Sequence, residues 1–330
     1  MKRKSVLFIV FIVSFALNAQ TKWIDPLGGE IPQVQGRAWN AEIGKCYHRF
    51  PLRAKNNLRE PVWGLSTNSA GLSLDFYCNA PDIIVKYTVS GYKSLPNLTT
   101  IAVSGIDLYT TDCHGVTDWC ACPGNYSFGT QTSDTITFHY KDLAYHNYHK
   151  RGNEYRLFLP LYNTVSSLKI GIPDSCELKF APISSEKPIL IYGTSIAQGA
   201  SASRPAMAWT NIVQRRTDSP VINLGFSGNA LMDAAVYDLI SEVDARMYIL
   251  DCMPNMYRVH DSIVSRTLAG VKKIRAKSDA PILLVENDGY MYGKTNAPIE
   301  NECVVTNREL KKEYEQLVAD GVKNLFYLTK

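Results

Sequence analysis

The feature that most constrains this chain is a change of hydrophobic period at Glu186-Lys187-Pro188. From Gly71 to about Phe180 apolar residues fall two apart: Leu72, Leu74 and Phe76; Ile101 and Val103; Ile136 and Phe138; Tyr155, Leu157 and Leu159; Leu168 and Ile170. Alternation of this kind sets one face of a strand on a core and the other in water. Strands this dense, separated by Gly, Pro, Asn and Ser with no helical stretch between them, predict a β-sandwich or jelly roll. Beyond Pro188, short apolar runs at Ile189 to Tyr192, Val221 to Leu224, Met247 to Leu250, Ile282 to Val285 and Leu325 to Leu328 alternate with longer amphipathic segments. The helical candidates are Ala206 to Arg216, Asp233 to Ser241, Ser262 to Lys277 and Asn301 to Ala319. Doubly buried strands separated by helices predict a parallel α/β sheet with helices on both faces.

Three segments follow: 1–19, 20–185 and 186–330. The first reads as an export signal, with a basic start at Lys2-Arg3-Lys4, an apolar run from Val6 to Leu17, and Asn18-Ala19-Gln20 at the cut. That run falls short of the ~20 residues that span a bilayer, and no other stretch approaches it. The expected mature protein is therefore secreted or periplasmic, with no integral membrane segment. The net charge of +4 falls to +1 once Lys2, Arg3 and Lys4 leave, which gives no electrostatic case for nucleic acid or an anionic membrane.

Eight cysteines follow the signal. Cys113-His114 and Cys120-x-Cys122 raise a zinc reading, but their spacings match neither a C-x₂-C nor an H-x₃₋₅-H pair. A local disulfide and inert thiols are the other readings.

In an open α/β sheet, ligands bind beyond the carboxyl ends of the strands. The first run is followed there by Gly193-Thr194-Ser195-Ile196-Ala197-Gln198-Gly199, the second by Gly225-Phe226-Ser227-Gly228-Asn229, and the third by Asp251-Cys252-Met253-Pro254-Asn255. Read singly, these are a helix cap, a tight turn and an Asx-turn. Read together, they bring a serine hydroxyl, a glycine backbone N–H and an asparagine amide toward one point. That is the equipment of acyl transfer, whose tetrahedral intermediate carries an oxyanion.

In this order the residues resemble the SGNH, or GDSL-like, hydrolases. The resemblance implies a flavodoxin-like fold, with Ser195 as nucleophile, Gly228 as backbone oxyanion donor and Asn255 as side-chain oxyanion donor; Thr194 stands where the GDSL motif carries Asp. Gly105-Ile106-Asp107-Leu108-Tyr109 is similar to the G-x-D-L-Y segment of the β domain that precedes one SGNH subgroup. Tyr155-Arg156-Leu157-Phe158-Leu159-Pro160-Leu161-Tyr162-Asn163 is similar to a later strand of that domain.

The family's base and its orienting carboxylate lie in an Asp-x-x-His motif after the last strand, and none occurs here downstream of Asn255. His48, His114, His139, His146 and His149 fall in the β half, and His260 reads as a surface residue. Asp251, Glu286 and Asp288 stand near strand ends, but a carboxylate at its ordinary pKa is a weak base for a serine. The expectation is a sequence cut short at Lys330, with the last strand's apolar surface left exposed and lower stability and activity than its parent.

The function implied is a secreted serine esterase that removes small acyl groups, acetyl first, from carbohydrate, with no metal or organic cofactor. Two alternatives remain: an SGNH scaffold without its base that binds glycan, and a lipase or lysophospholipase, disfavoured because no amphipathic lid is visible.

Overall fold

The computed structural model describes residues 20–30, 32–124, 126, 128, 133–143 and 152–330. The expected export signal, His146 and His149 lie outside the described residues.

The first half forms two antiparallel sheets. One takes β1 (Thr21–Ile24), β3 (Ile83–Val89), β6 (Thr135–Tyr140) and β8 (Val165–Pro173) in the order β1-β8-β3-β6. The other takes β2 (Ser73–Cys78), β4 (Asp107–Thr111), β5 (Thr117–Cys120), β7 (Asn153–Phe158) and β9 (Leu178–Phe180) in the order β5-β4-β7-β2-β9. Their facing side chains, among them Leu74, Phe76, Val85, Leu108, Ile136, Phe138, Leu157 and Ile170, make one core. This is the expected sandwich, and the period-two residues are its inner face.

One segment departs from the expectation of an all-strand half. Ile101 and Val103 lie not in a strand but in helix α3 (Thr100–Ser104), whose Ala102 N–H donates to Thr99 Oγ1 at 3.2 Å. Residues 101 to 104 are all buried, so the alternation records no inside and outside, and the Thr99 cap decides for the helix.

The second half is a five-stranded parallel sheet in the order β11-β10-β12-β13-β14. Its strands are β10 (Ile189–Gly193), β11 (Val221–Gly225), β12 (Met247–Asp251), β13 (Ile282–Val285) and β14 (Leu325–Leu328). This is flavodoxin-like order: the chain runs from β10 to one side, then crosses to β12 on the other, and the switch point lies beside β10. Leu190, Tyr192, Leu224, Tyr248, Leu250 and Leu284 face a core closed by α6 (Ala234–Ile240), α8 (Ile263–Arg275) and α9 (Ala297–Ala319). The opposite face packs Ile191 and Val221 against α5 (Trp209–Thr217). Farther along that face Phe326 and Leu328 are 50% and 51% exposed.

Helix limits shift for local reasons. Pro205–Met207 is a 3₁₀ turn, and α5 begins only at Trp209. Helix α9 starts four residues before the expected Asn301, because Asn296 Oδ1 accepts from Ile299 N–H and Pro298 fits the first turn.

Residues 39 to 62 belong to the first half in sequence but pack with the second. Trp39, Phe50, Leu58 and Val62 share the core of Leu190, Leu224 and Leu250. Here α1 (Asn40–Ile43) and α2 (Glu60–Ser66) lie beside the parallel sheet. Trp39 Nε1 donates to Glu242 at 2.9 Å, and Arg59 pairs with Asp233 at 2.8 Å.

Candidate active site

Ser195 opens a single helical turn, α4 (Ser195–Gln198), at the carboxyl end of β10. Thr194 caps it: its buried Oγ1 accepts from Ile196 N–H at 3.3 Å. The turn lies close against the sheet because two glycines in register, Gly193 and Gly225, make room. A Cβ on Gly193 would stand 2.6 Å from Ala197 Cβ, and one on Gly225 would stand 2.2 Å from Gln198 N. Neither glycine has a positive φ, so the requirement is for space.

The three strand ends are tied to one another. Phe226 N–H donates to Gly193 O at 2.8 Å, and Ser227 N–H donates to the buried Gln198 Oε1 at 3.0 Å. Asn223 Nδ2 reaches Ala197 O at 2.8 Å, holding the end of α4. Asn255, 7% exposed in α7 (Met253–Met256), accepts from Ala230 N–H at 3.2 Å through Oδ1. That bond fixes the amide orientation, since only an oxygen can accept there.

Ser195, Gly228 and Asn255 thus stand on the segments that follow the carboxyl ends of β10, β11 and β12, which are neighbours in the sheet. Among the described residues, Ser195 N–H, Gly228 N–H and Asn255 Nδ2 have no protein acceptor. Gly228 sits at φ +68°, a conformation glycine adopts without strain, and its carbonyl accepts from Arg258 Nη1 at 2.9 Å.

Other supports were not visible in sequence. Tyr162, on the segment after β7, donates to Ser195 O at 3.0 Å. Gln198 Nε2 donates to Asn68 Oδ1 at 3.2 Å and to Leu161 O at 3.1 Å. Arg49 is 2% exposed and gives Nη1 to Asn223 O and Gly225 O at 3.1 and 2.8 Å, with its guanidinium 5.0 Å from the Phe226 ring centroid. Burial pulls this guanidinium down to about 9, yet it stays charged at neutral pH and fastens the carbonyls where the glycine turn begins.

Among the described residues, no imidazole hydrogen-bonds to Ser195. His260 pairs with Asp261 at 2.9 Å on the surface, its side chain 56% exposed. His139 lies 3.9 Å from Asp82, and His48 packs edge-on to Trp63. All eight cysteines are free thiols, and the described residues hold no cluster of three or more metal-ligating side chains.

Asp251 is the exceptional carboxyl. It is 9% exposed at the end of β12 opposite Gly193, has no hydrogen-bond partner among the described residues, and burial pushes it up to about 7. An acid raised on folding contributes stability that is complete below its unfolded pKa and is lost as pH rises through its folded value. A shift of three units corresponds to a loss on the order of 4 kcal/mol by pH 8. Asp251→Asn should therefore melt several degrees above the parent at pH 8 and by a markedly smaller margin at pH 5, by circular dichroism. An equal difference at both pH values would contradict the assignment.

A cavity of about 510 Å³ lined by Arg37, Trp39, Pro188, Pro220 and Asp244 lies at the amino ends of β10 and β11. It is at the opposite end of the sheet from Ser195.

The GDSL-like lipase/acylhydrolase family profile matches residues 186–330, and that of the GxDLY N-terminus of SGNH-hydrolase-type esterases matches residues 21–178. Among solved structures, a Bacteroides ovatus protein assigned as a GDSL-like lipase is 31% identical, with a TM-score of 0.83 over 94% of this chain and 87% of that one. A salicylyl-acyltransferase from a tetracycline biosynthetic pathway is 17% identical, with a TM-score of 0.70 over 94% and 85%. A family two carbohydrate esterase from Cellvibrio japonicus is 12% identical, with a TM-score of 0.53 over 94% and 88%. These last two share the fold. No curated protein matches. The chain belongs to the GDSL-like lipase/acylhydrolase family of SGNH hydrolases.

Proposed function

We propose that the protein is a secreted serine esterase that releases small acyl groups, acetyl first, from carbohydrate through an acyl-enzyme on Ser195. The observation that supports this is that Ser195, Gly228 and Asn255 follow the carboxyl ends of three neighbouring strands, with the Ser195 N–H, the Gly228 N–H and Asn255 Nδ2 lacking a protein acceptor among the described residues. Ser195 Oγ attacks the ester carbonyl, and the oxygen that becomes negative is held by those donors. Collapse expels the sugar hydroxyl, and water then releases the acid and restores Ser195. Each half needs a base to take the attacking proton, which the family resemblance assigns to a histidine.

Export rests on the basic start and short apolar run of residues 1–19. The carbohydrate reading draws support from the Cellvibrio japonicus esterase of the same fold.

Hydrolysis of nitrophenyl acetate against nitrophenyl palmitate, with intact-mass analysis of quenched samples, tests the proposal. The expected result is at least a tenfold preference for acetate and a protein adduct of one acetyl group on Ser195. A preference for palmitate would indicate a lipase. Absence of turnover together with calorimetric binding of deacetylated oligosaccharide would move the assignment to glycan binding.

A further inference from the structure

The Gly105-Ile106-Asp107-Leu108-Tyr109 segment lies in the β half, and the chemistry above makes no use of it. Gly105 is needed for space, since a Cβ there would meet Ile101 O at 2.6 Å. The close turn delivers Asp107 and Tyr109 to the loop, residues 199–208, that leads from α4 to α5. Asp107 is 1% exposed, and both its oxygens are engaged. Oδ1 accepts from Trp119 Nε1 at 2.6 Å, and Oδ2 accepts from Ala206 N–H at 3.1 Å. Arg204 Nε lies 3.0 Å from Oδ2 as an ion pair, and its Nη2 donates to Tyr109 Oη at 2.9 Å. The Arg204 guanidinium also lies over the Trp119 ring at 4.2 Å. From α5, Arg215 covers the Tyr109 ring at 4.5 Å and donates to Ala206 O at 2.5 Å.

The same loop is held at two further points by the β half. Thr99 Oγ1 donates to Ser203 O at 2.7 Å, and Leu161 packs with Ala202 and Ala208 beside the Tyr162–Ser195 bond. Every polar contact of Asp107 is with a donor, so only a carboxylate satisfies the set. Burial raises this carboxyl to about 6 against the pull of Arg204, and it is ionised at pH 7.5.

We propose that Asp107 is a positioning residue: by gripping Arg204 and Ala206 it fixes the loop behind Ser195, so that the β half sets the geometry of the nucleophile turn. The catalytic part of this inference rests on the proposed function, whereas the grip itself does not. In Asp107→Asn the amide –NH₂ must face a donor, at Trp119 or at Ala206, whichever way it turns.

The experiment is hydrogen–deuterium exchange of the full chain at pH 7.5, with steady-state kinetics on nitrophenyl acetate. In Asp107→Asn, exchange across residues 194–208 should quicken about tenfold while β11 and β12 stay within twofold of the parent. The value of kcat should fall about tenfold with KM within threefold. Exchange unchanged in 194–208, or raised equally in every strand, would overturn the grip; unchanged kcat would overturn the positioning role. If the parent hydrolyses no ester, the proposed function falls and the exchange still decides the grip. If Asp107→Asn does not fold, Trp119→Phe removes one donor only and should give about a threefold effect on the same segment; no change there would equally overturn the proposal.

Discussion

Alanine in place of Ser195 is expected to abolish ester hydrolysis, a fall of ~10⁴-fold or more when the nucleophile of an acyl-enzyme mechanism is lost. Folding should be untouched, because the contacts that hold Ser195 use its carbonyl, which accepts from Tyr162, Gly199 and Ala200. Asn255 offers a graded companion. Asn255→Ala should lower kcat by ~10²–10³, the value of one oxyanion donor, with a further ~1 kcal/mol lost in stability as Ala230 N–H loses its acceptor. Asn255→Asp separates the two effects, since it keeps that acceptor while turning the donor into a negative charge. It should be at least as inactive as the alanine variant, and its loss of stability against the parent should be larger at neutral pH than at pH 5, because a carboxylate at this buried position is poorly solvated. If Ser195→Ala keeps most of the activity, the nucleophile lies elsewhere.

The second large effect is expected from one methyl group. In Gly225→Ala the new Cβ would stand 2.2 Å from Gln198 N and 2.6 Å from Gln198 Cα, both backbone atoms of α4. The turn must lift by about an ångström, which strains the Gln198–Ser227 and Asn223–Ala197 bonds together. A displacement of that size at a reacting group costs ~10²-fold, and kcat is expected to fall by that much with a loss of several degrees in melting temperature. Gly228→Ala is the contrast: its Cβ would meet nothing nearer than Arg258 Nη1 at 3.6 Å, so only the φ of +68° opposes it. The strain is about 1–2 kcal/mol and the N–H remains, so this variant should keep far more activity. Equal losses at the two glycines would show that close approach is not what Gly225 provides.

Much of this was legible because burial imposes periodicity. All five parallel strands fall where apolar runs end in Gly or a polar residue, and Ser195, Gly228 and Asn255 were singled out from the turns after three of those ends together with the SGNH resemblance. Where both faces of a segment are buried, period loses its meaning, and Ile101 and Val103 read as strand although they are helix. Long-range supports were out of reach for a different reason. Arg49 meets Asn223 and Gly225 across some 175 residues of chain, and nothing local in Tyr47-His48-Arg49-Phe50 marks it as buried. Asp251 was visible as a carboxyl at a strand end, but its lack of partners depends on neighbours from other strands. For Tyr162 the signal was present, in a strand quoted for its resemblance, without indication that its hydroxyl reaches Ser195.

The packing of residues 39 to 62 on the parallel sheet changes what the two halves are to one another. A cut at Ser185 would separate Trp39, Phe50 and Val62 from the core they complete, and Arg49 from the carbonyls it fastens. The α/β half is thus an assembly of two distant stretches of chain, closed by a segment synthesised long before its first strand. In a chain made from the amino terminus onward, that segment must wait for its partners, and the sandwich, complete by Phe180, is the part that can hold it ready.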